Sequence, residues 1–499
     1  MKTIYSFIIA LALATVSCGE WLDIDPALEI REKHLFTTEQ GFMDILAGAY
    51  TRVATPSLYG LNATISLPEL LAQHWVVTAN TAQAYISAFD FEQTSVKAII
   101  EVIWLQYYQT IVNLNAILSE IDEKKDVFSA GNYALVKGEA LALRAFLHFE
   151  VLRLWGAAPA DVVAGDKAIP YVAEVSKKPD ALLSLTYEQV HARIIADLDA
   201  AELLLADDPI LAYPNSVLNA IGTLAGVNES QPHPSDEFHY FRQARFNYFA
   251  VKAAKARFYA WTGDLERAGE YALEVINAKN ADGSPKFTLG SETAAGRGEL
   301  TFPSEHLFAI NNSLSTQTLT PIFFNHQTAY TQTVAAVQTA YESAIHTADI
   351  RFRGNRTWES KVVPLQTTNF NYFKKYNDAG SATATVADIP VIRLAEMYFI
   401  AIEAGRVELF RDYRIARVLD ASIDGSLDRA DDDPASIEQQ QAAIRERLEK
   451  EYRKEFFGEG VMYFFYKRLH YERFTWPAGK ENVAAGYRLP LPQSQFQFE

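Results

Sequence analysis

The sequence predicts an all-α protein, a scaffold of paired helices with long loop-rich insertions and minor short strands. Three observations predict it. Apolar residues recur at steps of three and four through much of the 499-residue chain. Small residues line the facing sides of one helix pair. Between the periodic stretches, Gly, Asn, Ser, Thr and Pro gather in blocks too long for ordinary turns. A hydrophobic share of 49% and an aromatic share of 12% place the chain among folded globules rather than disordered ones. A single cysteine rules out an internal disulfide, so burial in a large core must supply the stability. The formal net charge of −17 opposes binding to phosphate backbones and so argues against nucleic acid.

The chain opens with Lys2, an apolar run over residues 4–16, the small residue Ser17 and then Cys18. The run is too short to span a bilayer. This stretch resembles a bacterial lipoprotein signal, with Cys18 as the acylated first residue of the mature protein. An ordinary secretory leader cut nearby, or a buried free cysteine, is the alternative. The expected division is a signal peptide over residues 1–17, a lipidated tether over 18–36 and a single domain over 37–499. Loop-rich insertions are expected at about 61–94, 214–236 and 282–388.

Thr37 or Thr38 is positioned to cap a first helix, with Phe42, Ile45, Leu46 and Ala49 on one face; Pro56 and Gly60 break it. Residues 61–94 read as a short helix followed by a long loop. Strong helical periodicity covers residues 96–121, then 133–155, which Gly156 and Pro159 stop, then 187–205. Two helices over 246–261 and 265–278 hinge at Thr262, Gly263 and Asp264. Ala253, Ala256, Ala260, Ala268 and Ala272 let them approach closely. From 282 to 388 the periodicity fades, and residues 306–311 and 318–324 read as short strands. Helices return over 390–407 and 437–457, and the proline-bearing end is extended or turn-like.

The segment ARFYAWTGDLERAGEYALEVI resembles one tetratricopeptide repeat, a unit that must stack on neighbours to bury its apolar face. More of the chain is similar to the SusD/RagB family of outer-membrane nutrient-binding lipoproteins of Bacteroidetes. The leader is followed by Trp21, Leu22 and Asp23. GEALALRAFLHFEVLRLWGAAP carries Glu139, Ala140, Arg144, Ala145 and Phe149, and YEQVHARIIADLDAAELLL carries Ile195, Asp197 and Leu198. DIPVIRLAEMYFIAIEA supplies Ile389, Pro390, Arg393, Ala395, Glu396, Tyr398 and Glu403. EYRKEFFGEGVMYFFYKR supplies Glu451, Arg453, Glu455, Glu459, Gly460 and Arg468, and LPLPQSQ resembles the usual ending. Phe465, where the family commonly has aspartate, and the acidic stretch 422–433 depart from the pattern. The resemblance implies a tetratricopeptide-like helical protein with a loop-rich ligand face. It also implies a SusC-like TonB-dependent transporter as partner, over which such a protein acts as a hinged lid.

Catalytic signatures are missing: there is no HExxH, GxSxG or GxxxxGK, and one cysteine excludes CxxC. No enzyme is expected. Glu451, Glu455 and Glu459 interleave with Arg453, Lys454 and Arg468, which reads as ion pairing rather than acid–base chemistry. Arg393 and Glu396, one turn apart on an apolar helix, read as a structural pair. Asp420, Ser422, Asp424, Gly425, Asp428 and Asp431 match an EF-hand-like spacing, with Ser at the third position and Asp in place of the bidentate Glu. A solvated acidic turn competes with calcium here, and no other cofactor is expected.

Sugars are held by aromatic faces and by polar side chains that bond hydroxyls. In the loop-rich stretches this singles out Trp75, Tyr85, Tyr330, Trp358 and Tyr372, with Arg356 and Asn371 beside them. For any one of these aromatics, packing under a loop is the expectation that competes with binding and outweighs it, since large rings are usually buried. Trp104, Trp155 and Trp261 sit on helical stripes and are expected in the core. The expected function is a lipid-anchored outer-membrane protein, facing the cell exterior, that captures oligosaccharide or polysaccharide for the SusC-like transporter. A RagB-like peptide-capturing protein and a protein-binding tetratricopeptide scaffold are the alternatives.

Overall fold

The computed structural model describes residues 35–176, 182–219, 232–311, 319, 322–323, 330–361, 370–376, 388–427, 433–477 and 480–496. Cys18 and its leader, Asp428 and Asp431 lie outside the described residues. Helix α1, Glu39–Val53, starts at Thr38, whose hydroxyl accepts the Gly41 N–H at 3.2 Å. Its inner face is Phe42, Leu46, Ala49 and Val53. Helix α2, Thr94–Glu120, follows its expected stripe through Ile100, Ile103, Tyr107, Ile111 and Leu114. Helix α3, Asn132–Trp155, is buried all round from Gly138 to Trp155. An α-helix buried on every side is a central one. It packs on α2 and on α4, Tyr187–Leu204, which a reciprocal Thr186–Gln189 capping box begins.

The expected hinged pair is α5, Tyr248–Thr262, and α6, Leu265–Ile276. Gly263 turns the chain between them at φ +84°, a left-handed conformation open to glycine at no steric cost. Helix α6 also packs on α7, Leu394–Glu403, which packs on α8, Leu409–Arg417. At that contact a Cβ on Gly269 would lie 2.7 Å from the Ala404 methyl, so only glycine allows the helices so close. Helices α9, Pro434–Glu455, and α10, Met462–Arg468, close the scaffold. Trp104, Trp155 and Trp261 are all buried in the core, as their helical spacing predicts. Phe465 stacks on Tyr452 with centroids 4.4 Å apart. The protein is thus helical with a few short strands. Among the described residues no helix is long and apolar enough to cross a membrane.

Several boundaries differ from those predicted. Residues 61–94 hold a π-helical turn, Asn62–Ser66, and two short helices, Leu67–Leu71 and Ala82–Ser87, in place of one short helix and a loop. The stretch expected as a helix from residue 390 opens as a strand, because Pro390 has no N–H for a helical ladder and Val391 and Ile392 are β-branched. Strand β1, His306–Asn311, is where it was expected; it pairs antiparallel with β5, Asp388–Arg393, setting Ala309 opposite Pro390. A second antiparallel sheet joins β2, Thr331–Thr333, β3, Trp358–Lys361, and β4, Phe370–Phe373, with β4 in the centre. Within 318–324, expected as a strand, the described Leu319, Ile322 and Phe323 are helical. The proline-bearing end carries a short helix, Gln493–Phe496.

Candidate functional site

The first loop-rich stretch, around Trp75, and the last, from Tyr330 to Phe373, meet over an aromatic knot. Trp75 follows the short helix Leu67–Leu71 and donates its indole N–H to the Ile65 carbonyl at 2.8 Å. The next residue, Val76, donates its N–H to the Thr331 carbonyl at 2.8 Å, which ties this segment to β2. The ring of Trp75 meets Tyr330 at 5.7 Å, Trp358 at 6.3 Å, Phe373 at 5.4 Å and Phe457 at 5.0 Å. Tyr330 shares a 2.9 Å hydrogen bond with Ser66. In the sheet, Trp358 stands opposite Phe373, Tyr372 opposite both Thr331 and Glu359, and Asn371 opposite Gln332 and Ser360.

Three of the seven candidate side chains therefore come together in the knot, Trp75, Tyr330 and Trp358, while Asn371 and Tyr372 sit in the adjoining strand β4, where successive side chains point to opposite faces. All five are buried, Trp75 at 4% exposed and Trp358 at 1%. Their faces lie against protein because large rings gain the most by leaving water. They hold the platform together from beneath. Tyr85 differs. It is half-buried on the capped helix Ala82–Ser87. Arg356 points away, in a two-pronged contact with Glu292 at 2.9 and 2.8 Å that raises its pKa and lowers that of Glu292. In the acidic turn, Asp420 accepts the Ser422 N–H at 2.8 Å and Asp424 pairs with Arg414 at 2.7 Å. Among the described residues no three His, Cys, Asp or Glu side chains converge as metal ligands.

Beneath the knot lies a buried ionic core. Arg393 contacts Glu305 at 2.9 Å, Glu455 at 2.8 Å and Glu459 at 2.9 Å. Arg417 bonds Glu305 and Glu455, while Arg351 bonds Asp349, Glu451 and Glu455. Lys375 holds Glu459, and Lys454 holds Glu451. Five cations thus face five carboxylates, so the cluster is neutral as a whole, which is what lets it stay out of water. Burial pushes the Glu451 carboxyl up, but Lys454 and Arg351 outweigh it and bring the pKa down to about 2. Burial acts likewise on Glu455, and Arg417 and Arg393 drive it well below the usual carboxylate range.

The core is joined to the platform by one more carboxylate. Glu69 accepts the N–H groups of Gly458 and Gly460 at 2.9 and 2.7 Å, and His74 Nδ1 lies 2.6 Å from it. The His74 ring stacks on Phe457 at 4.4 Å. The expected pairing of Arg393 with Glu396 does not form. Arg393 ends β5 and faces Glu305, Glu455 and Glu459, whereas Glu396 takes Arg257 of α5 at 2.8 and 2.6 Å. Reading both residues on one helix hid this, because the strand-to-helix change turns Arg393 away. Sequence reasoning also missed Arg351, Arg417, Glu305 and Lys375. Glu305, set directly before the apolar run of β1, carried the one usable signal, a charge at the mouth of a buried strand.

Comparison with known proteins agrees with this architecture. Residues 20–227 match a family profile described as starch-binding associating with outer membrane, and residues 317–496 match one described as the SusD family. The chain belongs to the SusD/RagB family. No curated protein matches it. A crystal structure of a SusD superfamily protein from Bacteroides thetaiotaomicron is 19% identical and superposes with a TM-score of 0.65, over 92% of this chain and 98% of that one. A SusD superfamily protein from Bacteroides vulgatus is 18% identical, with a TM-score of 0.65 over 92% and 97%. A SusD-like carbohydrate binding protein from Bacteroides vulgatus is 14% identical, with a TM-score of 0.66 over 92% and 96%. At these identities the likeness establishes the SusD fold.

Proposed function

We propose that this SusD-family protein is a non-enzymatic cell-surface lipoprotein, anchored through Cys18, that captures oligosaccharide and delivers it to a SusC-like TonB-dependent transporter. The observation that carries the reading is the match of both halves to profiles of one family, one of them described as starch-binding and outer-membrane associated. Two physical features support it. The acids of the buried ionic core are each met by cations, so none of them is offered as a free acid–base group. The platform is tied together underneath by buried rings and leaves Tyr85 half-buried, with an aromatic ring of the kind that packs on sugar C–H groups.

Isothermal titration of the mature protein with a panel of oligosaccharides and peptides tests the binding step. Heat from oligosaccharides supports the proposal; heat from peptides alone replaces it with RagB-like peptide capture. For delivery, a Cys18→Ala form is expected to bind its ligand normally in solution and to fail in supporting uptake. Normal uptake by that form overturns the role of the anchor.

A further inference from the structure

A second cleft, sharing no residue with the platform, opens where the C-terminal end of α3 meets the start of α4 and the turn Val483–Gly486. Its volume is about 470 Å³, and its walls include Asp161, Asp166, Lys167, Tyr187, Tyr487 and Arg488. The chain is pinned there by a bond from the Leu489 N–H to the Leu154 carbonyl at 3.2 Å.

The hydrogen-bonding account of these walls does not close. Both carboxylates are occupied: Asp161 faces His470 Nε2 at 3.0 Å, and Asp166 accepts the Val163 N–H at 3.0 Å. The donors are not. Exposed Arg488 and Lys167 make no side-chain hydrogen bond or ion pair with any described residue. The Tyr187 hydroxyl accepts the Ala157 N–H at 2.6 Å, and among the described residues nothing accepts its own proton. Behind the wall, Lys467 is wholly buried and bonds only carbonyls, those of Arg153 at 2.6 Å and Gly156 at 2.7 Å. Burial, then Arg488 and Arg153, press its pKa down, and Asp161 opposes them.

Three unused donors gathered in one cleft, two of them cationic, suit an anionic acceptor, and two carboxylates already engaged on one side keep lone pairs that accept from hydroxyls. We propose that this cleft binds an acidic sugar, its carboxylate held by Arg488 and Lys167 with Tyr187 donating, and its hydroxyls turned to Asp161 and Asp166. Only the sugar part of the ligand rests on the glycan reading given above; the carboxylate part stands on the cleft itself.

The test is titration of the mature protein with sodium glucuronate, glucose, acetate and glycine, followed by NMR. Glucuronate is expected to bind at least about tenfold more tightly than the other three. Arg488→Ala is expected to lose about tenfold or more of that affinity with an unchanged unfolding midpoint, since the side chain is exposed, and Arg488→Lys to recover part of it. Tyr85→Ala, which touches only the platform, is expected to leave glucuronate binding intact. No binding of glucuronate, equal binding of glucose, or full affinity in Arg488→Ala overturns the site. Acetate or glycine matching glucuronate overturns the sugar assignment.

Discussion

The guanidinium of Arg393 grips the carboxylate of Glu459 through two parallel hydrogen bonds of 2.9 Å, with both side chains almost completely out of water. Two-pronged contacts of this kind are among the stronger polar interactions. Their removal is costly chiefly because the partner charge stays buried. Arg393→Ala strands part of the charge on Glu305, Glu455 and Glu459 at once. The expected loss is about 3–5 kcal/mol, read as a lower urea midpoint. Arg393→Lys is expected to recover little of it, because an ammonium cannot reproduce the planar fork.

The partner exchange around α7 gives a second prediction. Glu396 bonds Arg257 and not Arg393, so a double-mutant cycle on Arg257 and Glu396 is expected to show a coupling of about 1–3 kcal/mol. The same cycle on Arg393 and Glu396 is expected to give a far smaller coupling. Equal couplings would return the two neighbours on DIPVIRLAE to a direct pair.

Rings in the platform are expected to divide by burial. Trp75→Ala and Trp358→Ala each open a void in the knot and are expected to cost about 3–5 kcal/mol of stability. Tyr85→Ala leaves the knot whole, so its unfolding midpoint is expected to move little while oligosaccharide affinity falls about tenfold, roughly the value of one good stacking contact. Calorimetry and urea melts on the same three variants separate the two roles. Unchanged affinity in Tyr85→Ala removes it as a contact.

Gly460 supplies a fourth prediction. Its φ is +74°, and a Cβ there would sit 2.8 Å from the Thr64 carbonyl oxygen, on the residue whose N–H reaches Glu69. Gly460→Ala is expected to cost at least about 1–2 kcal/mol from backbone strain alone, with the clash adding to it, again read from the urea midpoint.

Acid is expected to destabilise the fold in two stages. His148 donates from Nδ1 to the Arg144 carbonyl at 2.9 Å and accepts the Val172 N–H at Nε2 at 3.0 Å, an arrangement only the neutral ring can make. Burial lowers its pKa to about 3, as it does for His306. The unfolded imidazole titrates near 6.5. Between these values the unfolded chain binds protons that the folded chain refuses, so stability falls as pH drops from about 6.5 toward 3. The slope is about 1.4 kcal/mol per pH unit for each ring. Glu451 and Glu455, depressed by their cations, contribute stability that is complete above the ordinary carboxylate pKa and lost as pH falls below it. Urea midpoints are therefore expected to fall as pH drops below about 6.5, well before the carboxylates titrate. His148→Phe is expected to flatten the first stage, whatever it does to the stability at neutral pH.

The helical scaffold was legible because its information is local. Phe42, Leu46 and Ala49 on α1, or the alanines of α5 and α6, repeat at the helix period, and the turn at Gly263 carries its own chemistry. The family was legible too, since its motifs lie in order along the chain. The strand β5 was not, because Pro390 and the β-branched pair after it are compatible with a helix start as well as a strand, and the partner that decides between them, β1, lies some 80 positions earlier and leaves no periodic trace.

Sequence alone thus determined the helix pairs, their caps and the residue types gathered in the loop-rich stretches. Tertiary structure decided which of those residues face water. Trp75 and Trp358 look alike in the text to any ring that stacks on a ligand, yet they are drawn under the platform, since burying such rings against one another gains more than leaving them exposed. It also decided the partners of Arg393 and Glu396, and it brought Tyr187 and Arg488, 301 positions apart in the chain, to one cleft. Charge pairing and cleft formation depend on distance in space, which helical spacing constrains over one turn and no further.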